Sequence, residues 1–385
     1  MSIATLIRRR AVALAAGLAF LGLAVAELAG GTTLSATAAA PSATAATASC
    51  LTAANALVKQ AEAPLHFAVP STPVKMTANK GKLLYDVSPT LTNTLQAAIA
   101  SGAASAAKAA GMQFKSWDGM NSVPTENQGV TEAVSGGAKG IILQSVASSI
   151  ISGPLASATS AKIPVVNWDD DDPNAPLRGV SARVTSNFTM DGRAMGAYVL
   201  VHSNCNAHAL VLYPGQFPNN VDISNGFVDE VKSLCAACKV TAEAINPATM
   251  STAVGPIVQA SIRRDPKLEW VVPTFDFLAT VIVPAIQAMG AQGKHVYVVS
   301  HDGNPPNLAY IRKHEVQVAD IAFPPAQYQG WVLVDQVARL MAGQKSVADV
   351  IPTALVDTSN IPSTDAKLYA KFGNYEAAFK KVWGR

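Results

Sequence analysis

Two successive series of short apolar runs, each run followed by a helix-length segment, limit what this chain can fold into more than any single motif. Runs open near Lys82 (KLLYDV), Met112 (MQFKSW), Gly140 (GIILQS) and Ile163 (IPVVNW), and again near His208 (HALVLY), Lys239 (KVTAEAI), Trp270 (WVVPTF) and Val296 (VYVVSH). The segments between them read as helices over 94–110, 129–135, 190–202, 223–233, 253–264 and 278–289, with Gly111, Gly137 and Gly290 placed to close a last turn in the left-handed conformation. Strands alternating with helices build a parallel sheet covered on both faces. One layout written twice predicts two similar doubly wound α/β domains. A chain of 385 residues, 49% of them hydrophobic, supplies core for both.

The amino terminus follows a different rule. Arg8, Arg9 and Arg10 precede an apolar run over 11–26 and then a small-residue stretch, the three zones of an export signal. The run is shorter than the roughly 20 residues that span a bilayer, so a cleaved signal over 1–40 is expected, with a Thr/Ala/Pro-rich leader over 41–81. The same arginines leave a twin-arginine route open and supply most of the net charge of +3, so no basic field remains to bind nucleic acid or anionic lipid. Four cysteines suit an extracytoplasmic compartment, where disulfides persist. Cys235 and Cys238 form a C-x-x-C without the second pair or the paired histidines of a zinc site, and read as structural. Three full pairings of Cys50, Cys205, Cys235 and Cys238 stay open; one attractive bridge joins Cys205 to a member of the C-x-x-C. Lipidation of Cys50 is the minor alternative, because that residue stands far beyond the apolar run.

In doubly wound sheets, ligands sit beyond the carboxyl ends of the strands. That rule selects Ser88 to Asn93, Trp117 with Asp118, Gln144 with Ser145, Trp168 with Asp169, Gly215 to Phe217, Asn246, Phe275 with Asp276, and His301 with Asp302, polar groups beside aromatic ones. No G-x-G-x-x-G follows a strand, and no phosphate loop or H-E-x-x-H occurs, so neither a cofactor nor a metal is expected. Ser300, His301 and Asp302 list triad residue types, but neighbours on one strand point to opposite faces. Asp118, Asp169, Asp276 and Asp302 could supply a glycosidase pair if two faced each other across a cleft. Asp170, Asp171 and Asp172 read as a solvated loop. Trp331 reads as helix packing and Trp383 as part of a surface helix; His202, His208 and His314 carry no metal spacing.

From about Lys82 to Pro352 the chain resembles the type I periplasmic sugar-binding proteins, of which ribose-binding protein is a familiar member. The resemblance is carried by Gly137 to Ile142, by Ile163 to Val166 followed by Trp168 and Asp169, by the Gly192 helix, by Asn225 to Phe227, and by Val298 to Gly303. It implies two lobes, 82–185 plus 324–351 and 186–323 plus 352–385, joined by crossings near Ser186, Phe323 and Pro352. Asp169 and Asp302 stand where the family's sugar-hydroxyl acceptors stand. The arginines expected beside Asp169 and before Asn225 are Asp170 and Ile223 here, and polar contacts are replaced by Phe275, His301 and Phe323. Loss of two cations beside retained acids disfavours an anionic ligand. The resemblance therefore implies a monomeric, non-enzymatic solute-binding protein that passes a neutral or cationic small molecule, a sugar or polyol first, to an ABC transporter permease. A nucleoside-like or amine-bearing aromatic ligand, a glycoside hydrolase, and a subunit of a membrane sensor are the alternatives.

Overall fold

In the computed structural model, residues 43–385 are described, apart from 68 and 348; the expected export signal lies outside them. The elements are α1 (Ala43–Ala61), β1 (Leu83–Ser88), α2 (Thr94–Ala110), β2 (Gln113–Asp118), α3 (Val123–Ser135), β3 (Gly140–Gln144), α4 (Ser152–Ser160), β4 (Val165–Trp168), β5 (Ala182–Thr185), α5 (Phe188–His202), β6 (His208–Pro214) and α6 (Pro218–Leu234). They continue with β7 (Lys239–Ile245), α7 (Met250–Arg264), β8 (Trp270–Pro273), α8 (Asp276–Gln287), β9 (Tyr297–Asp302), α9 (Pro305–Arg312), β10 (Gln317–Ala322), α10 (Ala326–Met341), β11 (Asp349–Val350), β12 (Ala354–Asp357), α11 (Asp365–Leu368) and α12 (Tyr375–Val382). Every strand expected from the apolar runs is present.

The strands form two six-stranded sheets, β2-β1-β3-β4-β5-β11 and β7-β6-β8-β9-β10-β12, the same layout used twice. All neighbours run parallel except β12, which lies antiparallel to β10. Buried strands such as β3 and β8 are apolar or small along most of their length because helices cover both faces. Strand order reverses between β1 and β3 and between β6 and β8, the switch points where loops diverge and leave a crevice. The chain passes from one sheet to the other three times: between β5 and α5, between β10 and α10, and between β11 and β12.

In each lobe two helices meet at paired glycines. A Cβ on Gly102 would lie 2.3 Å from the carbonyl oxygen of Gln327, and one on Gly330 would lie 2.4 Å from the backbone nitrogen of Ala103. In the other lobe a Cβ on Gly226 would lie 2.1 Å from the carbonyl of Thr189, and one on Gly192 2.0 Å from that of Ile223. Only hydrogen fits, so α2 packs on α10 and α5 on α6 with backbones in contact.

Both ends depart from expectation. The supposed leader contains the 19-residue α1, with Ala54 fully buried, and Cys50 of α1 is bonded to Cys205 after α5. The bond consumes the thiol that lipidation would need. Cys235 pairs with Cys238, so the bridge from Cys205 to the C-x-x-C does not form. After α1 the chain crosses to the first lobe, where Phe67 packs edge-on to Tyr328 of α10 and the Asn79 amide donates to the carbonyl of Ala338 at 2.9 Å. The tail, expected on the second lobe, starts there: Arg312 pairs with Asp365 at 2.6 Å. It then returns to the first lobe, where Trp383 is buried, stacks on Trp331 at 5.2 Å and donates its indole N–H to Asp335 at 2.8 Å. Apolar residues at helical spacing in α12 drive that return, since Phe379 must be covered.

Candidate functional site

Loops after β1, β3 and β4 on one side and after β6, β8 and β9 on the other enclose a cavity of about 770 Å³, its open mouth included. This is the size range of small-molecule sites. Of the residues singled out from sequence, Asn93, Asp169, Phe275, His301 and Asp302 line it, as do Ser145 and Phe217. Trp117, Asp118, Gln144, Trp168 and Phe323 do not, and each has a partner that holds it elsewhere.

Gln144 and Trp168 are the last residues of β3 and β4. Gln144 donates to both oxygens of the buried Asp86, at 2.9 and 3.0 Å, and Trp168 donates its indole N–H to Gln329 on α10 at 2.9 Å. Phe323 is wedged between the Trp168 and His301 rings, centroids 6.0 and 4.8 Å away. Trp117 donates to the carbonyl of Thr125 at 3.0 Å and covers Gly129. Asp118 accepts from the backbone N–H groups of Leu91 and Met120, at 3.2 and 2.9 Å, and so fixes the loop after β1. These side chains brace the cavity wall without forming its surface.

Asp169 enters the cavity because its backbone is left-handed, with φ 58°, as is that of Ser145 with φ 47°. Asp169 Oδ2 accepts from Ser145 Oγ at 3.0 Å and, across the two lobes, from the amide of Asn219 at 3.1 Å. Its Oδ1 is buried without a partner. Burial, reinforced by the Asp302 charge, raises the Asp169 carboxyl to about 8 against the opposition of His301, Ser145 and Asn219. A buried oxygen without a partner is satisfied by the carboxyl's own proton or by a donor brought with a ligand.

His301 sits between two carboxylates, with Nδ1 3.2 Å from Asp302 Oδ1 and Nε2 3.1 Å from Asp191 Oδ2. Burial alone would push its pKa down, but the hydrogen bonds and charges of Asp191 and Asp302 hold it up at about 10. The imidazolium thus donates from both nitrogens. Asp191 in turn accepts from Thr353 at 2.6 Å, on the third crossing between sheets. Ser300 does not join His301 and Asp302, its Oγ being buried without a partner, so the three residues do not converge; His301 and its neighbour Asp302 meet, with φ 123° at Asp302 breaking the pleat. Asp302 Oδ2 also accepts from the backbone N–H of Asp276 at 3.4 Å, and burial raises its pKa against the pull of His301.

The opposite wall holds Phe217 together with Asn219, Asn220 and Phe277, which the strand-end rule does not select. Phe217, Asn219 and Asn220 open α6, and Thr274 donates to Asn220 at 2.6 Å, Asn220 to Asn219 at 3.0 Å and Asn219 to Asp169. Pro218 at the first helical position signals a helix start there, and helix starts point free N–H groups at ligands, so this signal was available in the sequence. Phe277 stacks with Phe275 at 6.2 Å on the same wall. Among the described residues lining the cavity there is no Lys or Arg.

The run Asp170 to Asp172 is not a solvated loop. Asp170 accepts from Ser148 Oγ at 2.9 Å, Asp171 pairs with Arg183 at 3.2 Å, and Asp172 accepts from Thr189 Oγ1 at 2.5 Å across the first crossing. Asp170 is 2% exposed, which only a partnered carboxylate tolerates cheaply.

A family model described as the periplasmic binding protein domain matches residues 87–345. No curated protein sequence matches the chain. Solved structures similar to it include an ABC transporter solute-binding protein from Agrobacterium vitis with bound allitol (16% identity, TM-score 0.68, 75% of this chain and 99% of that one). A 5-methylthioribose transporter solute-binding protein from Thermotoga lettingae, in complex with 5-methylthioribose, is similar at 17% identity and TM-score 0.68 over 80% of this chain and 99% of that one. A third, from Mycobacterium smegmatis with bound glycerol, has 18% identity and TM-score 0.65 over 74% and 98%. With paired sheets, a cavity at their switch points and a family match over most of its length, the chain belongs to the periplasmic binding protein domain family, in its type I form.

Proposed function

We propose that the protein is an extracytoplasmic solute-binding protein that takes up a small neutral or cationic solute, a sugar or polyol first, and delivers it unchanged to an ABC transporter permease. The carrying observation is the cavity wall itself: Asp169 with one buried oxygen lacking a partner, a run of amides and hydroxyls, two stacked phenyl rings and, among the described residues, no Lys or Arg. Hydroxyl donors would satisfy Asp169, and a sugar's C–H face would cover Phe275 and Phe277. An anion would meet Asp169 and Asp302 with only the already paired His301 to attract it. Relatives of the same fold solved with allitol, glycerol and 5-methylthioribose support the polyhydroxylated class.

In this reading Asp169, Asp302, Asn93, His301 and Phe275 contact the ligand, joined by Asn219. The three crossings act as the hinge, and a monomer suffices because both walls come from one chain. Export agrees with the disulfides, which persist outside the cytoplasm. A thermal-shift screen over sugars, polyols, nucleosides, amines and organic anions tests the proposal. A true ligand at 100 times its Kd adds about 2.7 kcal/mol of stability. Stabilisation by an uncharged polyhydroxylated compound without product formation is expected; turnover of a glycoside, or stabilisation by anions alone, would overturn it.

A further inference from the structure

All four cysteines converge at one place, at the amino ends of β6 and β7. Cys50 is bonded to Cys205, and the Sγ of Cys235 lies 3.1 Å from the carbonyl oxygen of Cys205. The Sγ of Cys238 accepts the backbone N–H of Ala207, two residues further on, at 3.1 Å. The Cys235–Cys238 bridge therefore lies against the backbone of Cys205 and Ala207, next to the residue that anchors the other. They differ in what they hold: Cys235–Cys238 closes three residues of chain, whereas Cys50–Cys205 closes 155. They differ also in access. Cys50, Cys205 and Cys235 are buried, while Cys238 is half-buried and follows the exposed Ala236 and Ala237.

The long bridge fastens one end of a strap. It pins α1 to the second lobe, and the chain leaving α1 is held on the first lobe by Phe67 against Tyr328 and by the Asn79 amide on α10. Helix α1 is also packed on α5 through the buried Ala54 and Val58, so opening that bridge would remove the covalent fastening at one end and leave packing alone to restrain how far the lobes separate.

We infer that Cys235–Cys238 is a thiol–disulfide exchange site through which a dithiol reductant unfastens Cys50 from Cys205 and loosens the strap. A thiolate of the reductant attacks Cys238 Sγ; the Cys235–Cys238 bond breaks and Cys235 leaves as a thiolate. The second thiol of the reductant resolves the mixed disulfide, so the reductant is oxidised to its disulfide and two electrons pass to the protein. The Cys235 thiolate then attacks Cys205 Sγ, a Cys205–Cys235 bond forms, and Cys50 departs as a thiolate that takes a proton from water. The product holds one disulfide and free thiols at Cys50 and Cys238.

The test uses the full chain, limiting dithiothreitol as the dithiol, rapid alkylation and peptide mapping. Early alkylation of Cys50 and Cys238 with a Cys205–Cys235 peptide is expected; alkylation of Cys235 and Cys238 with Cys50–Cys205 intact would overturn the exchange. Two single variants separate this route from simple unfolding. Cys238→Ser leaves Cys235 free beside Cys205 and should expose Cys50 to alkylation without any reductant, whereas Cys235→Ser should leave Cys50 protected. In the double variant Cys235→Ser, Cys238→Ser, opening of Cys50–Cys205 by dithiothreitol should slow by at least about tenfold; an unchanged rate would also overturn the inference. Hydrogen exchange over 43–75 reports the strap: it should quicken in Cys238→Ser and stay protected in Cys235→Ser, and equal protection in both would show that the strap is not loosened.

Discussion

At the scale of single residues, the site turns on which side of a strand end a side chain leaves from. Gln144 and Trp168 are one residue too early: they still belong to the pleat and are captured by Asp86 and Gln329 inside the first lobe. Ser145 and Asp169, the next residues, take positive φ and swing into the cavity. Left-handed turns made without glycine leave no mark in a sequence, which is why Asp169 was legible from its place after an apolar strand and its neighbour was misread. Asp169 also sets a pH dependence. Its folded pKa is raised to about 8, and a ligand that donates hydroxyls favours the ionised form, so binding releases a proton below that pH. Affinity for such a ligand, measured by isothermal titration calorimetry, should strengthen between pH 6 and 8 by up to about tenfold per unit and level off above. In Asp169→Asn the slope should vanish and affinity at pH 8 should fall by about 1.5 to 3 kcal/mol.

Among the elements, strands and most helices followed from apolar periodicity because each must bury a face against its neighbours. The two ends were harder. Ala-rich α1 follows an export-like stretch of similar composition, and only its buried Ala54 and its bond to Cys205 set it apart. Replacing that bond by Cys50→Ser with Cys205→Ser should lower unfolding free energy by about 2 to 5 kcal/mol in chemical denaturation, because a long loop is no longer closed in the unfolded chain. The glycine pairs give an independent check on helix packing. Gly226→Ala puts a methyl into the backbone of Thr189 and should cost about 1 to 3 kcal/mol. Gly153→Ala, on α4 with open space beside it, should leave stability nearly unchanged.

For the whole molecule, the first sheet and the second are bound together by three crossings, by the strap after α1, and by a tail that runs from Arg312 on one lobe to Trp331 on the other. Several buried acids set how this assembly responds to pH without ligand. Burial raises Asp86 and Glu126 to about 7 and Asp169 to about 8, while His301 is held at about 10 by its two carboxylates despite burial. A pKa raised in the folded state means stability that is complete below the unfolded value and is lost as pH passes the folded one. The melting temperature of the free protein should therefore fall as pH rises from about 5 to 9, and Glu126→Gln should flatten part of that fall between about 5 and 7. The claim beneath all of this is that a solute without negative charge is held between the lobes through Asp169. Calorimetric titration of the best thermal-shift ligand into wild type and Asp169→Asn tests it most directly: one site per chain and at least about tenfold weaker binding in the variant are predicted, while equal affinity in both proteins, or binding of organic anions only, would contradict it.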